Sequence, residues 1–186
     1  MSYIDDLLAA YARFVALPWQ ENLAPPQRVW MAVYPPEDER RLRRQFIAFK
    51  TATIKANHPW SEIDITTSFE AWMAAHDYRE TYFEDPELLE TALSAFFDSL
   101  VADVRARLSA YDAADGVVGL VGAGTMFGLG SAVKVSALIN AVSDSIAGRL
   151  LVFFPGHHEG SSYRLLDARD GWNYLAIPIT PNGNSR

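Results

Sequence analysis

The chain has 186 residues, with 16 lysines and arginines against 23 aspartates and glutamates, a formal net charge of −7, and no cysteine. The lack of cysteine excludes disulfide scaffolds, cysteine nucleophiles and thiolate metal sites. The acidic balance disfavours broad non-specific DNA binding, which depends on basic side chains at phosphates, although it leaves room for a local basic face.

The length and composition indicate one globular domain. A hydrophobic content of 49% with 21% charged residues is ordinary for such a domain. The N-terminal segment carries Asp5 and Asp6 without a basic run, and no stretch reaches the roughly 20 apolar residues of a membrane span. We therefore expect a cytoplasmic protein without membrane contact, with a single domain over residues 1–178 and a disordered tail at 179–186.

The first half of the chain alternates helical and extended patterns. Apolar residues at helical spacing before Pro18 predict the first helix, and an apolar run with β-branched and aromatic members, stopped by Pro35 and Pro36, predicts the first strand. In chain order, the predicted elements are a helix at 4–16, a strand at 28–34, a helix at 37–56, a strand at 61–66 and a helix at 67–75.

The second half continues this alternation. Asp85 and Pro86 are typical of a helix start, and Pro178 places the last strand at an edge or end of the sheet. The predicted elements are a helix at 85–111, a strand at 117–121, a helix at 131–147, a strand at 150–154, a turn at 167–171 and a strand at 174–177. The pairing within segment 162–177 stays open between an antiparallel hairpin and a return through a short helix.

Strands that are unbroken apolar runs, alternating with helices, are typical of an α/β fold with a covered parallel sheet. We predict a mainly parallel sheet of about five strands with helices on both faces. This arrangement is Rossmann-like but lacks a complete nucleotide-binding motif.

A glycine-rich loop at 122–130 lies between a predicted strand and a predicted helix, where phosphate-binding loops occur. Its spacing, G-x-G-x-x-x-G, is one residue longer than the dinucleotide fingerprint, and no Gly-Lys-Ser/Thr sequence follows it. A structural role in turning the chain sharply is therefore favoured over nucleotide binding.

His157, His158 and Glu159 follow the clearest strand, at the edge where ligands of α/β sheets usually bind. Neighbouring side chains on an extended segment point apart, which disfavours a shared metal ion. Ser161 and Ser162 have no partner that would position them as nucleophiles. We predict no catalytic residue, no cofactor and no metal.

The main basic concentration lies in the second predicted helix. The helix dipole and solvation account for most of the pattern, while a contact surface for an acidic partner or a nucleic acid is the alternative. Its members are Arg40, Arg41, Arg43, Arg44, Lys50 and Lys55.

The apolar run Leu150–Gly156, which ends in Phe-Phe-Pro-Gly, is followed by Glu159-Gly160, Tyr163–Leu166 and an aromatic stretch at Trp172–Tyr174. Together with Val118–Ser131 and Val33–Glu39, these segments resemble the BrxB family of bacteriophage exclusion (BREX) systems. The resemblance extends over most of the chain in element order, and its specific part is the Phe-Phe-Pro-Gly region.

The resemblance implies a small subunit of an antiphage defence system, encoded beside a PglZ-like phosphatase-superfamily protein, a large ATPase and a DNA methyltransferase. It implies a non-enzymatic adaptor for the PglZ-like protein and other BREX subunits, reaching DNA, if at all, through a partner. A weak homo-oligomer stays open. We expect Phe127, Tyr163, Arg164 and Trp172 to anchor the interface, because aromatic and arginine residues dominate binding hot spots.

A small-molecule or nucleotide-binding domain, acting as sensor or enzyme, is the alternative. The loops at 122–131 and 157–164 would frame one crevice if their strands straddle a switch point of the sheet. Nucleic-acid binding through the helix at 40–55 is a weaker third hypothesis. The candidate interface or ligand residues are Gly122, Gly124, Thr125, Phe127, His157, Glu159, Tyr163, Arg164 and Trp172.

Overall fold

A parallel sheet forms the centre of the protein. The computed structural model describes residues 2–166, 168 and 171–182. The strands are β1 Val29–Tyr34, β2 Trp60–Asp64, β3 Val117–Val121, β4 Arg149–Glu159, β5 Ser162–Leu165, β6 Trp172–Asn173 and β7 Ile177–Ile179. Five of them lie in the order β2-β3-β4-β1-β7 with every neighbouring pair parallel. The predicted α/β class with a mainly parallel sheet is confirmed.

Helices cover both faces of this sheet, as predicted. They are α1 Tyr3–Val15, α2 Glu39–Lys55, α3 Ser68–Ala74, α4 Arg79–Glu84, α5 Leu89–Ala110 and α6 Val135–Val142. The α1 and α2 helices pack on one face, and α3, α5 and α6 pack on the other. The short α4 was not predicted, and no residue of this six-residue helix is buried.

Alternate strand residues supply the two cores. In β1, Met31 belongs to the core beneath α5 and α6, whereas its neighbour Trp30 belongs to the core beneath α1 and α2. In β4, Val152 and Phe153 divide in the same way. Because successive side chains point to opposite faces and both faces are covered, every residue of β1 is buried. This explains why the central strands are unbroken apolar runs in the sequence.

The helix predicted at 131–147 is shorter, with eight residues from Val135 to Val142. Gly128 and Gly130 hold φ angles of +83° and +77°, and Lys134 is still extended, so the loop continues to that residue. A 3-10 turn at Ser143–Ser145 follows the helix.

The predicted end of β4 at residue 154 is wrong, because the strand continues through Pro155 and Gly156. Beyond the parallel sheet it changes partner and forms an antiparallel hairpin with β5. The pairing within segment 162–177, which the sequence left open, is antiparallel between β5 and β6. A Cβ atom on Gly156 would lie 2.1 Å from the carbonyl oxygen of Arg164, so glycine permits this close pairing. Of the predicted turn at 167–171, residues 167, 169 and 170 lie outside the described part of the chain.

The final strand lies later than predicted. Trp172 and Asn173 pair with β5, and Ile177–Ile179 pairs with β1 at the edge of the sheet. Pro178 therefore occupies an edge strand, as expected for a residue without a backbone donor. Ile179, the first residue of the predicted tail, is buried within β7. Residues 183–186 lie outside the described chain.

Candidate functional site

A cleft of about 340 Å³ lies at the edge where β1, β2 and β3 end. We call it the edge cleft. Gly122 brings the glycine-rich loop against the segment after β2: its φ is +96°, and a Cβ atom there would lie 2.6 Å from the backbone nitrogen of Thr66. The cleft is lined by Pro36, Glu39, Arg43, Thr66, Gly122, Gly124, Thr125, Pro155 and Leu166.

A polar network around Arg43 forms one wall of the edge cleft. Arg43 Nε donates to Glu39 Oε1 at 2.7 Å, and its Nη2 donates to Thr66 Oγ1 at 2.7 Å. Its Nη1 lies 3.4 Å from Asp64 Oδ2, and the buried Tyr34 hydroxyl donates to Glu39. The network ties the ends of β1 and β2 to α2.

The charges in this network stabilise one another. Partial burial lowers the pKa of Arg43, but the hydrogen bond and charge of Glu39 outweigh it and raise that pKa above its usual value. Desolvation raises the pKa of Asp64, but hydrogen bonds from Thr66 and the Arg43 charge outweigh it, so that pKa lies below its usual value. Because two carboxylates engage one guanidinium, the network has no net positive charge to offer an anion, and its role is to brace the sheet edge.

A second cavity, of about 300 Å³, lies between the glycine-rich loop and the β5–β6 hairpin. We call it the loop cavity. Its lining includes Phe127, Lys134, Ser136, Leu165 and Trp172. The Phe127 side chain is 46% exposed, and the Trp172 ring lies 5.5 Å from the Tyr163 ring within the core. Phe127 and Trp172, two of the predicted anchors, therefore face one cavity.

The two faces of the β4–β5 hairpin differ. His157 pairs with Arg164 and Glu159 with Ser162, and these four side chains line a surface cavity of about 250 Å³. On the other face, the His158 ring lies 4.6 Å from Tyr163, and burial lowers the pKa of His158. The two histidines thus point apart. Among the described residues, no three acidic or histidine side chains are grouped to hold a metal ion.

Tyr163 is not the exposed interface anchor that the sequence predicts. It has no solvent exposure, and its hydroxyl donates to the carbonyl of Ala176 at 3.0 Å. Strand alternation turns Tyr163 into the core and Arg164 outward. Arg164 is exposed and remains available for contacts.

The two loops of the predicted crevice lie in different cavities. The β3 and β4 strands are neighbours, but β4 continues into the hairpin, so His157 and Arg164 lie beyond the sheet edge. Leu165 and Trp172 close the loop cavity instead. Gly122, Gly124 and Thr125 face the edge cleft, where the Thr125 hydroxyl donates to the Gly122 carbonyl at 2.7 Å.

The sequence does not predict the network around Arg43, because it places Arg43 in the basic helix, where the helix dipole and solvation account for most of the charge pattern. Asp64 and Thr66, polar residues at the end of a predicted strand, are the local indication of a polar cluster there.

Comparison of the chain with protein-family models, curated proteins and solved structures yields no match in any of the three. Within the part of the chain that is described, no helix combines the length and apolar character needed to cross a membrane.

Proposed function

We propose that this protein is a non-enzymatic adaptor of a BREX-type antiphage defence system, a cytoplasmic subunit that docks on a PglZ-like phosphatase-superfamily protein. The resemblance of segment 150–166 to the BrxB family supports the assignment to that system. The observation that carries the docking role is the exposed Phe127 side chain at the loop cavity.

Phe127 is held in its exposed position by its neighbours. Met126 is buried in the core and Leu129 packs against it, so the backbone on both sides of Phe127 is anchored. Gly128, with its left-handed backbone, turns the chain between them. An exposed aromatic on an anchored loop loses little conformational entropy on binding, which is favourable for an interface hot spot.

The loop cavity beside Phe127 can receive a side chain of the partner. Its walls combine the aromatic ring of Trp172 with the aliphatic side chain of Leu165, and Lys134 adds a cation. Binding hot spots commonly combine an aromatic side chain with a pocket that loses its water when the partner binds.

Co-purification of the chain with a PglZ-like protein, which the resemblance implies is encoded beside it, tests the proposal. We expect one complex at micromolar concentration, with Phe127→Ala weakening it by about tenfold or more. Leu17→Ala is the matched control, because Leu17 is 57% exposed and lies in the segment after α1 that contacts Arg149 at the start of β4. Separate elution of the two wild-type proteins would overturn the adaptor role.

A small-molecule sensor or enzyme is the second candidate, favoured by Lys134 and Ser136 beside the aromatic wall of the loop cavity. Nucleotides and phosphorylated metabolites would then raise the melting temperature, and Lys134→Ala would abolish the rise. A screen that gives no shift contradicts this candidate and leaves the docking experiment unaffected.

A further inference from the structure

We propose that the groove between α1 and α2 binds an acidic, amphipathic helix of a partner protein. This helix groove lies on the opposite face of the sheet from the loop cavity. It is therefore a second interaction surface, and it does not depend on the proposed docking through Phe127.

The groove has the dimensions of a helix-binding site. The α1 and α2 helices run in the same direction: Gln45 Nε2 donates to Asp5 Oδ1 at 2.7 Å near their starts, and Tyr11 meets Thr53 further along. Between them lies a groove of about 870 Å³. Along α2 it extends from Arg44 to Lys55, about 16 Å at the helical rise, or three turns.

Small side chains form the floor of the groove. An alanine floor lets a partner helix approach closely and receives its larger apolar side chains, as in other helix-in-groove complexes. Ile47 on the rim is 74% exposed, so a bound helix would remove a large aliphatic side chain from water. The alanines are Ala9, Ala12, Ala16, Ala48, Ala52 and Ala56.

The charge around the groove selects an acidic partner. The groove lining carries two cations, Arg44 and Lys55 at its two ends, against one acid, Asp5, which gives the lining a net charge of +1 in a chain of −7. The Asp5 carboxylate is already held by Ser2 and Gln45. A nucleic acid needs basic side chains at its phosphates, but the floor of the groove is apolar and the rest of this protein, beyond α2, is acidic. A protein helix therefore fits the groove better.

Selection from a displayed library of helical peptides, about 14 residues or four turns long, tests the proposal on the full chain. We expect the selected peptides to be net acidic, with apolar residues at i, i+3 or i+4, and i+7. Neutral or basic peptides, or no binders, would overturn the proposal.

Variants then place the selected peptide in the groove. Ala9→Trp, at an exposed alanine of the lining, should weaken a synthetic peptide by about tenfold or more, and Ala71→Trp on α3 is its matched control. Lys55→Glu should weaken binding several-fold more than Lys50→Glu, the same change on the same helix outside the lining. Equal affinity for the Ala9→Trp variant and the wild type would contradict the assignment.

Two further measurements separate the other occupants. If sedimentation shows a dimer that Ala9→Trp dissociates, a second copy of the chain fills the groove and the proposal fails. It also fails if a labelled DNA duplex displaces the peptide and loses its binding in Lys55→Glu. We expect a monomer and no displacement.

Discussion

The guanidinium carbon of Arg149 lies 4.7 Å from the ring centroid of Trp19, and the His58 ring stacks on Trp19 at 3.8 Å. Arg149 is only 6% exposed, and its Nη2 donates to the carbonyl of Gln20 at 2.8 Å. Burial, with the nearby charge of Arg28, lowers the pKa of Arg149. This contact holds the segment after α1, which has little regular structure of its own, against the start of β4.

Arg149→Ala should therefore lower the free energy of unfolding by about 2–4 kcal/mol, because it removes a cation–π contact and leaves the Gln20 carbonyl without its donor. Urea unfolding followed by circular dichroism measures the loss. The exposed Arg164→Ala is the control and should change stability by about 0.5 kcal/mol or less. Equal effects of the two variants would contradict the importance of the contact.

Gly122 and Gly128 offer a matched test of crowding at the sheet edge. Both have positive φ, but a Cβ on Gly122 would lie 2.6 Å from the Thr66 nitrogen, whereas nothing lies within 4 Å of one on Gly128. Gly128→Ala should cost about 1 kcal/mol of backbone strain. Gly122→Ala should cost about 2 kcal/mol more, because backbone must move. Thermal unfolding compares the pair, and similar losses would show that the loop yields freely.

The buried hydroxyls of Tyr11 and Thr53 lie 2.6 Å apart between α1 and α2. Thr53 donates its only hydroxyl proton to the Phe49 carbonyl at 2.9 Å, so Tyr11 must be the donor in their shared bond. Thr53→Val strands the buried Tyr11 hydroxyl and should cost about 1–3 kcal/mol. Tyr11→Phe should lower the free energy of unfolding by less, since the Thr53 hydroxyl still donates to the Phe49 carbonyl. Once Tyr11 is Phe, adding Thr53→Val should lower it little further. Additive losses would contradict the shared hydrogen bond.

Asp5 should give the protein a stability that is sensitive to acid. Hydrogen bonds from the Ser2 backbone, from Gln45 and from the Ser2 hydroxyl lower the pKa of Asp5 from 3.8 to about 2. The unfolded chain therefore takes up this proton at higher pH than the folded chain does. The contribution of Asp5 to the free energy of unfolding is therefore complete above about pH 4 and is lost as the pH falls towards 2.

Asp5→Asn should flatten the decline of unfolding free energy over that pH range. Asp6→Asn removes the same charge one residue along, without touching the hydrogen bonds of Asp5, and is the control. Chemical unfolding at a series of pH values gives the two slopes. An unchanged slope in Asp5→Asn would contradict the prediction.

The sequence predicted the layers of this fold well, because each central strand is an apolar run that needs two covered faces. It failed at β4, where proline and glycine after such a run usually end a strand. The antiparallel partner at Ser162–Leu165, together with the close approach at Gly156, decides that the strand continues. Pairing of this kind is tertiary and leaves no local periodicity.

The site could be predicted only in part. The sequence predicts Phe127 and Trp172 as interface anchors, and both line one cavity. The sequence also predicts Tyr163 as an anchor, but the side to which Tyr163 points depends on the strand register, which the sequence leaves open. The partners of Arg43 at Asp64 and Thr66 are 21 and 23 residues away, so only folding brings them together.

The proline in β7 has a consequence for how these molecules behave in concentrated solution. An outer strand normally presents a row of free backbone donors and acceptors, to which a strand of another molecule can add. Pro178, at the centre of the three-residue β7, has no N–H to offer and interrupts that row. Substitution of Pro178 by a β-branched residue would restore the backbone donor and allow a strand of another molecule to pair with β7. We therefore expect Pro178 to protect the protein against polymerisation by strand addition.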